Sequence, residues 1–192
     1  MIQNSNFIQI NPMTLSRDDC HLIIRRFLNA EDTPGDFDAK SNQFTVHDVE
    51  NHHFKAKYKD HMGRMCYNMT FENPDFQYMI EKCDASFPKS EEFMRVSFIQ
   101  IIEYPDGSFI PFHQDLDEDS ATSIVFLNDD FHGGSLICDG IIIPPDQGTM
   151  VSFNNSGQRW HGTVPVMGNP RYILAFWFDR GDIEDFDQVH NA

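Results

Sequence analysis

Cysteine is scarce in this sequence, with four residues among 192. The four lie far apart, and none of them forms the Cys-x-x-Cys spacing of a thiolate metal site or a redox pair. This argues against a disulfide framework and favours free thiols in a reducing cytoplasm. The cysteines are Cys20, Cys66, Cys83 and Cys138.

Basic residues are also few: 14 Lys and Arg stand against 30 Asp and Glu, for a formal net charge of -16. Such a chain repels the phosphate backbone of nucleic acids, so we expect no nucleic-acid partner. No stretch approaches the roughly 20 apolar residues that a membrane-spanning helix needs, and the N-terminus has neither a basic start nor an apolar run. We therefore expect no membrane partner and a soluble, cytoplasmic protein.

The period of the hydrophobic pattern changes along the chain. Apolar residues at helical spacing predict helices over residues 16–29 and 74–87, after a short strand near residues 7–10. From Met94 the period moves towards two, which predicts strands over residues 94–103, 121–127, 135–143, 149–153, 161–166 and 171–178. We expect an α+β fold. A single domain would span residues 1–192, with 1–91 as helical and loop support and 92–180 as the β-sheet core.

The polar stretch from residue 30 to residue 62 leaves two interpretations open. It forms either a mobile segment or irregular strands near residues 44–49 and 53–58. Its histidines lack a carboxylate or cysteine partner at ligand spacing, so surface positions are favoured over a second metal site. These histidines are His47, His52, His53 and His61.

Side chains that bind metals occur later in the chain. His113 and Asp115 are two residues apart, so on an extended strand both point to the same face and can share a metal ion. His161 offers a second imidazole. Arg171 begins a segment that is apolar on both faces, and a guanidinium there is costly to bury without an anion such as a carboxylate. Together these residues suggest a non-haem Fe(II) site with a small dicarboxylate.

A series of short motifs follows a fixed order between about residues 94 and 179. The motifs are Tyr104-Pro-Asp-Gly, His113-Gln-Asp, Thr122–Asn128, Gly133-Gly134-Ser-Leu, Pro144-Pro-Asp-Gln-Gly148, His161-Gly-Thr-Val-Pro-Val and Arg171-Tyr. This order resembles the prolyl 4-hydroxylase-like branch of the 2-oxoglutarate and Fe(II)-dependent dioxygenases. The segment from Leu15 to Ile24 also resembles the first helix of that family, so the resemblance covers most of the chain.

The resemblance implies a double-stranded β-helix, or jelly roll, with the N-terminal helices packed on one sheet. It implies Fe(II), 2-oxoglutarate as cosubstrate and O2, and it allows ascorbate as a reductant. The implied catalytic metal ligands are His113, Asp115 and His161. His132 competes for the third ligand position, but it stands at the turn of the Gly-Gly motif, so His161 is favoured. The residues implied to bind the cosubstrate are Arg171, Tyr104, Thr163 and Trp177.

Two positions depart from relatives. Phe126 stands where some members have a tyrosine that helps to bind the cosubstrate acid, which leaves more of this role to Arg171 and Tyr104. Arg171 itself replaces the lysine of the collagen-modifying enzymes.

The expected activity is hydroxylation of a C–H bond with release of succinate and CO2, and the resemblance points to C4 of proline within a peptide or protein. The alternatives are the same chemistry on a free amino acid or another small molecule, and a non-catalytic metal-binding jelly roll. Acidic residues near the predicted ligands indicate a negatively charged rim around the mouth of the barrel, which would favour cationic peptides. The alternative is that these residues lie in solvated loops and contribute only to solubility. These residues are Asp117, Glu118, Asp119, Asp129 and Asp130. The sequence leaves the oligomeric state open.

Overall fold

Strands dominate the computed structural model, which describes residues 8–30, 35–38, 43–46, 58–59, 64–69, 77–87, 94–114, 121–154 and 159–180. The helices are α1 (Arg17–Leu28) and α2 (Gln77–Ser86). The strands are β1 (Ile8–Asn11), β2 (Gly35–Asp38), β3 (Gln43–Val46), β4 (Tyr58–Lys59), β5 (Met65–Met69), β6 (Met94–Tyr104), β7 (Ala121–Phe126), β8 (His132–Gly133), β9 (Leu136–Cys138), β10 (Ile141–Ile143), β11 (Met150–Asn154), β12 (His161–Thr163), β13 (Val166–Met167) and β14 (Arg171–Arg180). The described part is mostly antiparallel sheet with few helices, as the α+β prediction requires.

Helix α1 begins where the sequence supplies a capping box. The Ser16 hydroxyl accepts a hydrogen bond from the Asp19 N–H at 3.2 Å, and the Asp19 carboxylate accepts one from the Ser16 N–H at 3.1 Å. Cys20, Ile23 and Phe27 then recur at helical spacing and are buried. The predicted helix over residues 16–29 is confirmed.

The larger sheet contains seven antiparallel strands in the order β1-β11-β7-β14-β6-β5-β4. Strand β14 lies between β7 and β6, and its ladder with β6 begins where Arg171 faces Tyr104. On the other side of β6, Met65 of β5 faces Glu103. The register therefore places residues 64, 104 and 171 side by side, where the neighbouring strands β5, β6 and β14 begin or end.

Strand β14 serves two hydrophobic cores, because alternate residues of a strand point to opposite faces. Leu174 and Phe176 pack in a core with α1 and α2. Ile173 and Ala175 pack in a second core that includes residues of the short strands β9, β10 and β13. This confirms the prediction that the segment after Arg171 is apolar on both faces, and it identifies the inner face as the one that starts with Arg171.

The short strands correct two sequence predictions. The strand predicted over residues 135–143 is two strands, β9 and β10, which pair through a turn at Asp139 and Gly140. Both turn residues have positive φ, 48° and 78°, as a two-residue hairpin turn requires. The strand predicted over residues 161–166 is likewise split into β12, which pairs with β9, and β13, which pairs with β8.

Two other predictions lie partly outside the described residues. Helix α2 begins at Gln77, and residues 74–76 of its predicted range are not described. Of the strands expected near residues 44–49 and 53–58, the structure describes β3, paired with β2, and β4, paired with β5. His47, His52, His53 and His61 lie outside the described residues.

The four cysteines are all buried, and none of them is in a disulfide. The prediction of free thiols is confirmed. Within the described ranges, neither helix is long and apolar enough to cross a membrane.

Candidate metal and cosubstrate site

The candidate site is built from the chain segment that follows β6 and from strands β12 and β14. Residues 107–113 run alongside residues 161–167 and exchange backbone hydrogen bonds with them. The Thr163 N–H donates to the Ile110 carbonyl at 2.9 Å, and the Ile110 N–H donates to the Thr163 hydroxyl at 2.8 Å. His113 and His161 exchange a further pair of backbone hydrogen bonds at 2.9 and 3.0 Å. This pairing brings the two predicted histidine ligands together.

Gly162 permits this close approach of the two segments. A Cβ atom at Gly162 would lie 3.0 Å from the Ile110 carbonyl oxygen and 3.1 Å from the backbone N and Cα of Phe112. These distances are shorter than ordinary van der Waals contacts between carbon and its neighbours. A side chain at this position would therefore push apart the two segments that carry His113 and His161.

The imidazole rings of His113 and His161 have their centroids 4.2 Å apart. The Nδ1 atom of His113 is 2.9 Å from the Pro111 carbonyl oxygen, and that of His161 is 3.3 Å from the Arg159 carbonyl oxygen. A carbonyl only accepts, so each Nδ1 carries a hydrogen, and in the neutral ring this leaves the lone pair on Nε2. This tautomer is the one that a metal-binding histidine uses, with its second nitrogen held by the protein.

The carboxylate of the predicted triad, Asp115, lies outside the described residues. The described residues contain no group of three or more His, Cys, Asp or Glu side chains that could hold a metal ion, so the ligand set stays a prediction. His132 lies on β8 opposite Met167 of β13 and is exposed. Among the described residues, the His113 ring lies against that of His161.

Arg171 is the largest fully buried side chain among the described residues, with only 1% of its surface exposed. Its guanidinium carbon lies 4.8 Å from the Tyr104 ring centroid and 5.3 Å from that of Phe126. Its Nε and Nη1 atoms have no hydrogen-bond partner. Burial lowers the pKa of Arg171, Tyr104 opposes this shift, and the nearby Arg64 cation adds to it. A buried guanidinium with unsatisfied donors fits a carboxylate, which would accept two parallel hydrogen bonds.

Tyr104 lies beside Arg171 and is also buried. Its hydroxyl accepts a hydrogen bond from Nη1 of Arg64 at 3.0 Å, and the Arg64 guanidinium carbon is 5.3 Å from the Tyr104 ring centroid. Arg64 was not among the residues predicted from the sequence. The available signal was weak, because a lone arginine before a short strand far from the motifs has no recognisable spacing.

The other two predicted cosubstrate residues have different surroundings. The Thr163 hydroxyl accepts the Ile110 N–H, so it joins β12 to the segment before His113. Trp177 lies on the inner face of β14 and faces Thr122 of β7. The Thr122 hydroxyl is buried without a hydrogen-bond partner, which marks a second polar atom of this face that a bound molecule could satisfy.

Arg159 supports the strand that carries His161. Its buried guanidinium forms an ion pair with Asp139 at 2.9 Å and donates to the carbonyl and side-chain oxygens of Asn154 at 3.1 and 3.3 Å. Its own carbonyl accepts from His161 Nδ1. Arg159 therefore joins the β9–β10 turn to the end of β11, and its carbonyl orients the His161 ring.

Only part of the predicted acidic rim is described. Asp129 and Asp130 are exposed. Asp129 lies 3.7 Å from Arg17, and Asp130 accepts hydrogen bonds from Asn128 and Asn169. Asp117, Glu118 and Asp119 are outside the described residues, so the charge of the rim stays a prediction.

Sequence comparison supports the resemblance. Residues 99–179 match the profile of the 2OG-Fe(II) oxygenase superfamily. Prolyl 3-hydroxylase 2 from Rattus norvegicus is 33% identical over 64 residues, which is 30% of this chain and 9% of that protein. The match therefore spans only a small part of that relative.

Similar folds occur among solved prolyl hydroxylases. The viral collagen prolyl hydroxylase of Paramecium Bursaria Chlorella virus-1, solved as a 2OG complex, has a TM-score of 0.66 at 16% identity, covering 95% of this chain and 100% of that one. A prolyl-4-hydroxylase from Pseudomonas putida has a TM-score of 0.57 at 17% identity, covering 93% and 95%.

A prolyl hydroxylase from Trichoplax adhaerens, in complex with a peptide fragment of the hypoxia inducible factor oxygen degradation domain, has a TM-score of 0.61 at 14% identity, covering 98% and 89%. At these identities the likeness shows the fold. Residues 99–179 thus carry the sequence signature of the 2OG-Fe(II) oxygenase superfamily, on the fold of its prolyl hydroxylase-like members, and this family implies Fe(II), 2-oxoglutarate and O2.

Proposed function

We propose that this 2OG-Fe(II) oxygenase hydroxylates proline within a peptide, at C4, on a double-stranded β-helix core. The prolyl hydroxylase fold supports a prolyl substrate, and the Trichoplax adhaerens and Pseudomonas putida structures support a peptide and the C4 position respectively. The proposed metal ligands are His113, Asp115 and His161.

The observation that carries the cosubstrate assignment is the buried guanidinium of Arg171. A buried cation with unsatisfied Nε and Nη1 donors costs several kcal/mol unless an anion binds there. A scaffold domain has no use for such a group. The distal carboxylate of 2-oxoglutarate supplies the missing charge and the missing acceptors.

The residues of the site bind the cosubstrate and orient the metal ligands. Iron with 2-oxoglutarate and O2 supplies the oxidant for C–H hydroxylation, and 2-oxoglutarate leaves as succinate and CO2. Arg171 and Tyr104 hold the distal carboxylate. The backbone carbonyls of Pro111 and Arg159 keep the two imidazoles in the tautomer that binds a metal. The second hydrophobic core, which includes Tyr104 and Phe126, keeps water away from the Arg171 guanidinium.

Binding and decarboxylation of 2-oxoglutarate can be tested without knowing the substrate that is hydroxylated. We expect anaerobic addition of Fe(II) and 2-oxoglutarate to give a visible metal-to-ligand charge-transfer band, and admission of air to give succinate. A protein that binds Fe(II) but gives neither the band nor succinate would be a non-catalytic metal-binding domain instead.

The position of hydroxylation has a second candidate, since the match to prolyl 3-hydroxylase 2 favours C3. A panel of proline peptides separates the two: mass spectrometry detects one added oxygen atom, and amino-acid analysis of the product distinguishes 4-hydroxyproline from 3-hydroxyproline. We expect 4-hydroxyproline.

We also expect faster turnover of peptides with Lys or Arg near the proline and slower turnover with added salt, because the net charge of -16 attracts cations over a Debye length of roughly 8 Å. Turnover of free proline alone would contradict the peptide assignment.

A further inference from the structure

The side chains of Arg64, Tyr104 and Arg171 lie next to one another where the neighbouring strands β5, β6 and β14 begin or end. Arg171 faces Tyr104 in the ladder between β14 and β6. Met65 faces Glu103 in the ladder between β5 and β6, so the residue before Met65, Arg64, lies next to Tyr104. The Tyr104 ring thus has a guanidinium carbon from each neighbour nearby, at 4.8 Å for Arg171 and 5.3 Å for Arg64.

The Arg64–Tyr104 hydrogen bond determines what the phenol can do. A guanidinium has donors only, so at 3.0 Å Arg64 Nη1 donates and the Tyr104 oxygen accepts. The phenol hydrogen must then point elsewhere. Donation to a phenol oxygen also makes its own O–H a better donor, because linked hydrogen bonds polarise one another. Tyr104 is buried next to the unsatisfied donors of Arg171, where a carboxylate would accept that hydrogen.

We propose that Arg64 is a positioning residue of the cosubstrate site, which acts through Tyr104 by orienting the phenol O–H towards the distal carboxylate that Arg171 binds. This inference rests on the proposed function. It also gives a physical reason why the pocket tolerates Phe126, which lacks the hydroxyl of some relatives: the remaining hydroxyl is directed by a cation. Burial lowers the pKa of Arg171 and the nearby Arg64 cation adds to this shift, so an anion beside Arg171 is favoured.

The test measures cosubstrate binding without turnover. Calorimetry in air follows 2-oxoglutarate binding to the Zn(II)-loaded protein, and pyruvate serves as a probe that keeps the 2-oxo acid but lacks the distal carboxylate. We expect Arg64→Met to raise the Kd for 2-oxoglutarate by about three- to tenfold, the range of one hydrogen bond, and to leave the Kd for pyruvate unchanged. Arg64→Lys should recover part of the loss. The matched control is Arg17→Met, which removes an exposed arginine and should change neither value.

A double-mutant cycle tests the route through the hydroxyl. We expect Tyr104→Phe to weaken 2-oxoglutarate binding as Arg64→Met does, and the double variant to be no weaker than Tyr104→Phe alone. Additive effects, equal losses for 2-oxoglutarate and pyruvate, or an unchanged Kd in Arg64→Met would each overturn the proposal. Arg171→Ala separates this failure from failure of the proposed function: if Arg171→Ala also binds 2-oxoglutarate normally, the pocket is not a cosubstrate site.

Discussion

At the scale of the residue, Arg171 represents a conflict between stability and binding. Without an anion its buried donors are unsatisfied, so replacing it with an apolar side chain of similar length removes a desolvated charge. We expect Arg171→Met to be at least as stable as the wild type without cosubstrate, yet to raise the 2-oxoglutarate KM at least tenfold, since a charge-assisted hydrogen bond contributes about 1.5–3 kcal/mol.

The 2-oxoglutarate KM of Arg171→Lys should lie between those of the wild type and Arg171→Met, because lysine restores the charge but not the planar fork of the guanidinium. Urea unfolding gives the stability and succinate formation gives the KM. An unchanged KM in Arg171→Met would contradict the carboxylate assignment.

The histidines provide a second prediction at this scale. His113→Ala, His161→Ala and Asp115→Ala should each lose bound Fe(II) and succinate formation, because a site with three protein ligands becomes a site with two. His132→Ala is the control, since this exposed side chain lies on β8. Iron content after gel filtration is the measurement. Loss of iron in His132→Ala equal to that in His161→Ala would show that the ligand set is wrong.

At the scale of the element, the pairing of β12 with residues 107–113 depends on Gly162. We expect Gly162→Ala to weaken Fe(II) binding strongly, since the new methyl group would meet the backbone of Ile110 and Phe112 at 3.0–3.1 Å and move His113 away from His161.

Gly168→Ala is the matched control: Gly168 has a φ of 93° but nothing within 4 Å of a Cβ, so it should lower stability by about 1 kcal/mol without changing iron affinity. Iron titration and urea unfolding distinguish the two effects. If Gly162→Ala keeps wild-type affinity, the close approach is not needed for the site.

Elements were predictable from sequence where the pattern is long and local. Helix α1 has both its capping box and its apolar stripe in one short segment, and the 10-residue strand β14 has an uninterrupted apolar run from Tyr172 to Phe178. The strand predicted over residues 135–143 failed because apolar residues continue on both sides of the Asp139-Gly140 turn, although that dipeptide is itself a hairpin signal. His113, His161 and Arg171 drew attention in the sequence because their residue types follow motif spacing, and the structure places the two histidines together and buries Arg171, while their roles stay predictions. Arg64 could not be predicted, since only the β5–β6–β14 register brings it to Tyr104.

At the scale of the whole molecule, the core beneath the helices contains titratable groups. Burial raises the pKa of Cys20 and of Cys83 from 9.0 to about 12, and both thiols pack in the core shared by α1, α2 and the larger sheet. A raised folded-state pKa means that stability is fully present below the unfolded value and falls as the pH rises towards the folded value.

We therefore expect the free energy of unfolding to decline between about pH 9 and about pH 12, and the variant Cys20→Ala/Cys83→Ala to show a smaller slope over this window. Urea unfolding at several pH values measures it. Part of the slope should persist, because burial also raises the pKa of Tyr172 to about 12. An identical slope in the variant would contradict the role of the thiols.

Strand β14 has a consequence for altering this protein. Its odd-numbered positions from Arg171 to Trp177 line the inner core, whereas Tyr172, Leu174 and Phe176 pack under the helices. A library that randomises odd positions alone would vary the face that carries Arg171 while leaving the packing of β14 against the helices unchanged. A single-residue deletion within the strand would disrupt the fold, because every side chain after the deletion would move to the other face of the sheet. Length variants of β14 should therefore be absent from any functional selection, however permissive the substitutions.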